Sequence, residues 1–305
     1  MKIEFKRLSI YLMIVTGLSS GCSIKQIAVN SIADSLAENN TVYASDNDLQ
    51  LIADATPFAL KTIESLLAST PEHKGLLLSA TRGFTQYAYA YVQLPAAEIE
   101  QRDYEAAYRE RQRALKLYIR ARDYGVRGLE TENPGLINQI RKDPEAALAN
   151  TTRDDVGLLY WTAAAWGSII SLGKDNPNHL ADIPIMHALI NRAMELDETF
   201  DNGALHVFYI SYEMSRRNIS EGAEERAIKH FQRAIELSNG TQASPYVAMA
   251  ESYYIPMQDR KKFKLLLETA LAIDVDEHKD IRLANLIMQR RASFLLSKID
   301  EYFVE

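Results

Sequence analysis

The residues able to do chemistry are few and scattered. Cys22 is the only cysteine in the 305-residue chain. It follows Leu18-Ser19-Ser20-Gly21, small residues that close an apolar run, Leu8–Leu18, behind the basic Lys2, Lys6 and Arg7. That run is too short to cross a bilayer and the right length for a secretory signal. A single cysteine makes no intramolecular disulfide, and a free thiol suits export poorly. The pattern therefore favours lipidation of Cys22 over plain cleavage beside a free thiol. Two or more acyl chains would then tether the protein stably to a membrane. Ser23 stands where an Asp would hold a lipoprotein at the inner membrane, so the lean is towards the outer membrane. The histidines are His73, His179, His187, His206, His230 and His278. None lies three or four residues from another, and no cysteine joins them, so the spacing argues against a metal site. No cofactor-binding motif appears. Glu251-Ser252 with Met257-Gln258 offers one carboxylate for acid/base cleavage of a cell-wall glycan, but no glycine-rich segment accompanies it; a helix-surface Glu is favoured. No nucleophile elbow or phosphate-cradling loop appears, and the chain reads as a non-enzyme.

Two further sets of side chains could form a site. Tyr87, Tyr91, Tyr160, Trp161 and Trp166 carry polar handles on apolar rings, as pocket-lining aromatics do. At helical spacing they fit a core better than a ligand channel. His206, among aromatic neighbours, reads as a hydrogen-bonded core histidine ahead of a ligand-facing one. Asp259, Arg260, Gln289 and Arg290 could meet as a polar network at a repeat junction, with a structural role.

The elements that position these residues are helices. Strand alternation is almost absent, and the chain reads as all-α. Ala227–Gly240, AIKHFQRAIELSNG, places apolar or small residues at 227, 228, 231, 234, 235 and 237, one face of a helix. Asn239-Gly240 stops it and Ser244-Pro245 starts the next. The unit recurs as Asn191–Leu196 followed by Asn202–Met214, and as Glu268–Ile273 followed by Ile281–Leu296. Ala193, Ala234 and Ala270 hold matched places about one tetratricopeptide (TPR) repeat length apart. Degenerate TPR-like hairpins forming an array or bundle are the expected architecture.

In order, residues 1–21 read as a lipoprotein signal and 22–45 as tether and first helix, with Ile27, Ile32 and Leu36 as apolar points. Residues 46–305 read as the all-α domain. Asp46-Asn47-Asp48 caps a helix that Thr56-Pro57 should restart or kink. Gly75–Gln93 is a helix that Pro95 should close. It places Tyr87 and Tyr91 on one face and Tyr89 on another. Ala96–Glu130 reads as one long charged helix, and Asn133–Thr152 as a short helix and loop. Removing residues 1–21 takes away Lys2, Lys6, Arg7 and Glu4 and moves the net charge from −7 to −9. Such an acidic chain is a poor nucleic-acid binder. Arg109–Arg113 and Arg290-Arg291 read as solvated faces or ion-pair partners.

These segments together resemble the T component of tripartite ATP-independent periplasmic (TRAP) transporters, the TatT family of TPR-containing lipoproteins. The stretches that carry the resemblance are Ala44–Leu67, Gly83–Gln93, Leu159–Asp175, Asn191–His206, Tyr254–Phe263 and Arg282–Leu296, in that order behind the lipobox. Tyr254-Ile255-Pro256 departs from it, where a basic residue is expected before the Pro. The resemblance implies a self-associating lipoprotein, a trimer, that partners a periplasmic solute-binding P component. It also implies a central channel that receives that partner's ligand. The alternative from the residues alone is a TPR scaffold for envelope assembly.

Overall fold

A computed structural model describes Ser31, residues 41–216 and residues 220–303. The signal segment, Cys22 and the points Ile27, Ile32 and Leu36 lie outside those residues. Among the described residues every regular element is helical. The principal helices are α1 (Leu49–Ser69), α2 (Lys74–Ala88), α3 (Leu94–Ile99), α4 (Tyr104–Glu130), α5 (Val156–Leu172), α6 (Ile183–Leu196), α7 (Ala204–Ser215), α8 (Ala223–Leu237), α9 (Ser244–Met249), α10 (Arg260–Leu271) and α11 (Arg282–Ser297).

The starts and stops follow local chemistry. Asp48 accepts hydrogen bonds from the Gln50 and Leu51 amides and so caps α1. Asp103, Asp143 and Asp259 cap their helices in the same way. Asn239 and Gly240 both adopt left-handed φ, 50° and 72°, after α8. Four expectations are corrected. Pro57 does not restart the chain: it lies inside one helix, α1, that runs from Leu49 to Ser69. Pro95 opens α3 instead of closing a helix, since a proline near a first turn has no amide to waste. The long helix expected over 96–130 is broken at Glu100–Asp103, where Asp103 leaves helical φ/ψ to act as a cap. Asn133–Thr152 holds two short helices, Leu136–Ile140 and Pro144–Leu148.

Neighbouring helices pack as a chain of hairpins: α1 on α2, α2 on α4, α4 on α5, α5 on α6, α7 on α8 and α10 on α11. Ala193, Ala234 and Ala270 are all fully buried, each on the packed face of its helix. Gly125 of α4 is the tightest crossing. A Cβ there would lie 2.1 Å from Thr162 Oγ1 of α5 and 3.0 Å from Thr81 Cγ2 of α2. Apolar burial is divided among four clusters. The largest gathers residues between Leu129 and Tyr212, and another lies wholly within Ala243–Phe303.

The two ends of the array meet. Arg290 of α11 forms a two-pronged ion pair with Glu98 of α3, at 2.9 and 2.6 Å. Lys298 donates to Gln101, and Gln101 to Glu301. Arg282 donates to the Ser45 carbonyl at 3.0 Å. The hairpins therefore close head to tail, along a seam that none of the four apolar clusters crosses.

Candidate functional site: the inner recess

Two helices carry a π turn, and both bring residues to the same place. Tyr89–Gln93 continues α2, and Ala250–Tyr254 continues α9. A π turn widens the backbone ring by one residue and turns side chains off the α-helical face, which is why such turns cluster at functional sites. Tyr89 heads the first, and its hydroxyl lies 4.0 Å from Met288 Sδ of α11. Glu251 sits in the second and accepts from Arg291 of α11, with Nε to Oε2 at 3.3 Å and Nη2 to Oε1 in close contact. The Arg291 guanidinium lies 5.3 Å from the Phe294 ring centre. Its Nη1 is buried without a hydrogen-bond partner among the described residues. Burial alone would lower the Arg291 pKa, and the Glu251 carboxylate more than reverses this. Burial raises the Tyr89 phenol, and the Glu251 charge pushes it further.

A second group lies where α2 and α5 run side by side. Gly157 of α5 would place a Cβ 3.2 Å from Leu78 of α2, and Gly125 bridges Thr81 to Thr162. That parallel register sets Arg82 of α2 level with Tyr160 and Trp161 of α5. The Tyr160 ring meets Trp161 edge-on at 4.9 Å and Phe200 at 5.4 Å. Phe200 opens the turn Phe200–Asn202, in which Asp201 (φ 47°, ψ 46°) and Asn202 (φ 53°) are left-handed. Gly203 follows at φ 99°, where a Cβ would press on the Ala234 backbone at 3.3 Å. Left-handed non-glycine residues cost free energy and concentrate at functional turns.

Arg82 makes no hydrogen bond or ion pair with the described residues. Burial lowers its pKa, and the Asp201 charge opposes that. Burial raises the Asp201 carboxyl, and Arg82 opposes that in turn. Burial also raises the Tyr160 phenol, with Asp201 adding to the shift. Yet Asp201 is exposed by area, and Arg82, Tyr89, Tyr160 and Arg291 all keep some solvent access. The two groups, Tyr89 with Glu251 and Arg291, and Arg82 with Tyr160 and Asp201, are connected through the α2 segment. Arg82 and Tyr89 lie seven residues apart on one face of the α2 segment.

The residues singled out from sequence are dispersed. Tyr160 and Trp161 belong to the second group. Tyr87 and Tyr91 pair at 5.8 Å, and Arg113 of α4 lies over Tyr87 at 6.0 Å, away from Tyr89. Burial pushes Tyr91 up to about 12. Trp166 is 4% exposed, donates to Asp182 at 3.1 Å and lies under Arg122, as a core residue would. His206 is buried in the core, and its Nδ1 meets Nδ1 of His230 at 2.9 Å. His230 stacks on Tyr209 at 4.8 Å. Sequence spacing hid this histidine pair, since 24 residues separate its members. Among the described residues, no three His, Cys, Asp or Glu side chains gather to hold a metal.

Asp259, Arg260, Gln289 and Arg290 do not converge. Asp259 accepts from the Lys262 amide, and Arg260 pairs with Asp300 at 2.5 Å. Gln289 donates to the Ala270 and Ile273 carbonyls at the end of α10, and Arg290 reaches Glu98. Each seals a different junction because helical periodicity turned them to different neighbours.

Arg82, Tyr89, Asp201 and Arg291 escaped the sequence reading. One signal pointed to them: Asp201-Asn202-Gly203, three residues tolerant of left-handed backbone.

Comparison with known proteins adds two findings. A family model described as the TRAP transporter T-component matches residues 45–303. An uncharacterized protein of Treponema pallidum (strain Nichols) is 28% identical over 309 residues, covering 94% of this chain and 95% of its own.

Proposed function

The chain belongs to the TRAP transporter T-component family, and from that premise we propose that it is the lipid-anchored accessory subunit of a TRAP-type uptake system. It holds a periplasmic solute-binding P component and gives that partner's solute a passage through the array. The observation that supports this reading is the closed array of helical hairpins, which keeps titratable and aromatic side chains such as Arg82, Tyr89, Tyr160 and Arg291 partly solvated. A passage needs partly solvated polar groups backed by a rigid wall; Arg82, Tyr89, Tyr160, Asp201 and Arg291 supply the former. No helix of the described residues is long and apolar enough to cross a membrane. The apolar run Leu8–Leu18 ahead of Cys22 supports attachment through acyl chains on Cys22, and the reading places the protein at the outer membrane as a homotrimer. Glu251, paired with Arg291, is assigned to the wall and to no acid/base step.

Affinity capture of the full-length protein from native membranes tests the reading. The expected outcome is recovery of a periplasmic solute-binding protein. Recovery of barrel-assembly or cell-wall proteins alone would overturn it in favour of an envelope scaffold. Cys22→Ser should release the protein from the membrane fraction; equal retention would remove the tether.

A further inference from the structure

Arg109, Arg113, Lys116, Arg120 and Arg127 are all exposed on α4, in a chain whose net charge is −7. They recur at spacings of three, four and seven residues, which keeps them on one side of the helix. Lys116, Arg120 and Arg127 line one hollow of about 370 Å³, with Ile119, Asp123 and Tyr124. Its two guanidiniums are held by stacking. Arg120 lies over the Phe84 ring at 5.4 Å, Phe84 stacks on Tyr124 at 6.0 Å with planes 12° apart, and Arg127 lies over Tyr124 at 5.3 Å. Arg127 also donates to the Pro71 carbonyl at 3.0 Å. Side chains fixed in this way lose less freedom when a ligand arrives. The negative charge nearby is already engaged. Asp123 accepts two hydrogen bonds from Arg122, at 2.9 and 2.7 Å. Glu64 of α1 accepts from the Tyr124 hydroxyl at 2.8 Å and pairs with Lys61 at 2.5 Å, leaving Arg120 at 3.6 Å. Lys116 forms no ion pair among the described residues. An adjoining hollow of about 280 Å³ shares Arg127 but carries Glu72 and Glu130, so the cationic stretch ends there.

We propose that Lys116, Arg120 and Arg127 bind a phosphomonoester in this hollow, either free in solution or as a lipid headgroup. A phosphomonoester carries a charge of about −1.5 to −2 at pH 7 and three strong acceptor oxygens. It can therefore answer all three cations, whereas a carboxylate brings one charge and two oxygens. The arginines present planar donor forks to such an oxyanion, and Lys116 adds a point charge. Exposure to water keeps each contact modest and sensitive to salt. The site shares no residue with the passage proposed above and does not depend on it.

Isothermal titration calorimetry on the full chain in neutral detergent tests this with three probes: glycerol 3-phosphate, dihexanoyl phosphatidic acid and acetate. At least one phosphate probe should bind saturably and more tightly than acetate. Lys116→Gln and Arg120→Gln should each weaken that binding about two- to fivefold, and the two together about tenfold. Added sodium chloride should weaken it further. Lys116 is exposed and unpaired, so its substitution reads binding without disturbing the fold. Arg109→Gln, on the same side of α4 but outside the hollow, should leave the affinity unchanged. Glycerol 3-phosphate binding as tightly as the lipid or more tightly marks a free ester as the ligand. Tighter binding of phosphatidic acid marks a headgroup. Acetate binding as tightly as the phosphate probes, no saturable binding of either phosphate probe, affinity that survives the double substitution, or equal weakening by Arg109→Gln would overturn the site.

Discussion

His230 has no titrating role that its surroundings permit at neutral pH. Burial first, then the neighbouring His206 and Arg226, depress its pKa to about 4 against the opposing charge of Glu213. His206 and His187 are lowered as well, burial being the main cause for each. In the unfolded chain a histidine titrates near 6.5. Between those values the unfolded state binds the proton and the folded state does not, so stability falls as pH drops from about 6.5 towards 4. Thermal melts from pH 7.5 to 5 should show a falling midpoint, and His230→Gln should flatten it. Each such proton steepens the dependence by at most about 1.4 kcal/mol per pH unit. A midpoint that holds level or rises over that range would contradict the burial of the pair. The carboxylates Glu64 and Asp155, lowered by Lys and Arg partners against the raising effect of burial, add their loss only at more acid pH.

At the scale of elements, stability rests on how closely α2, α4 and α5 approach. Gly125 lets Thr162 and Thr81 pack against bare backbone. Gly125→Ala should cost about 1–3 kcal/mol by overpacking a fixed crossing, read from urea denaturation. Phe263 of α10 is fully buried against Tyr302 and Phe303. Phe263→Ala should cost about 3–5 kcal/mol. A loss below about 1 kcal/mol at Phe263 would mean that the C-terminal hairpin has no fixed core of its own. The two π turns, each with a backbone bond reaching five residues back, carry Tyr89 and Glu251, whose side chains both meet α11.

The whole molecule is a closed array whose closure is polar. The Glu98–Arg290 pair leaves 25% and 42% of the two side chains exposed, so it contributes little to global stability. Glu98→Gln and Arg290→Gln should each change the unfolding free energy by less than about 1 kcal/mol. Native-state hydrogen exchange should be more telling. Breaking the pair should speed exchange in α11, which meets the seam, and leave α5 and α6 unchanged, since these belong to the largest apolar cluster. Uniform acceleration would show that the seam shares one cooperative core with the rest.

The sequence by itself determined the helices, most of their caps and their family. Each of these depends on residues within a turn or two of one another: the face of Ala227–Leu237, the Asn239-Gly240 stop, the Asp48 cap. It misjudged the restart expected at Pro57 and the stop expected at Pro95, because a proline's local preference does not say whether packing carries a helix through it. Only the tertiary structure decided which distant residues meet. Glu98 finds Arg290, Tyr89 finds Met288, and His206 finds His230. Helical periodicity tells which side of a helix is buried. Which neighbour it is buried against depends on the small rotation between successive hairpins, summed around the array. That sum brings the two ends together.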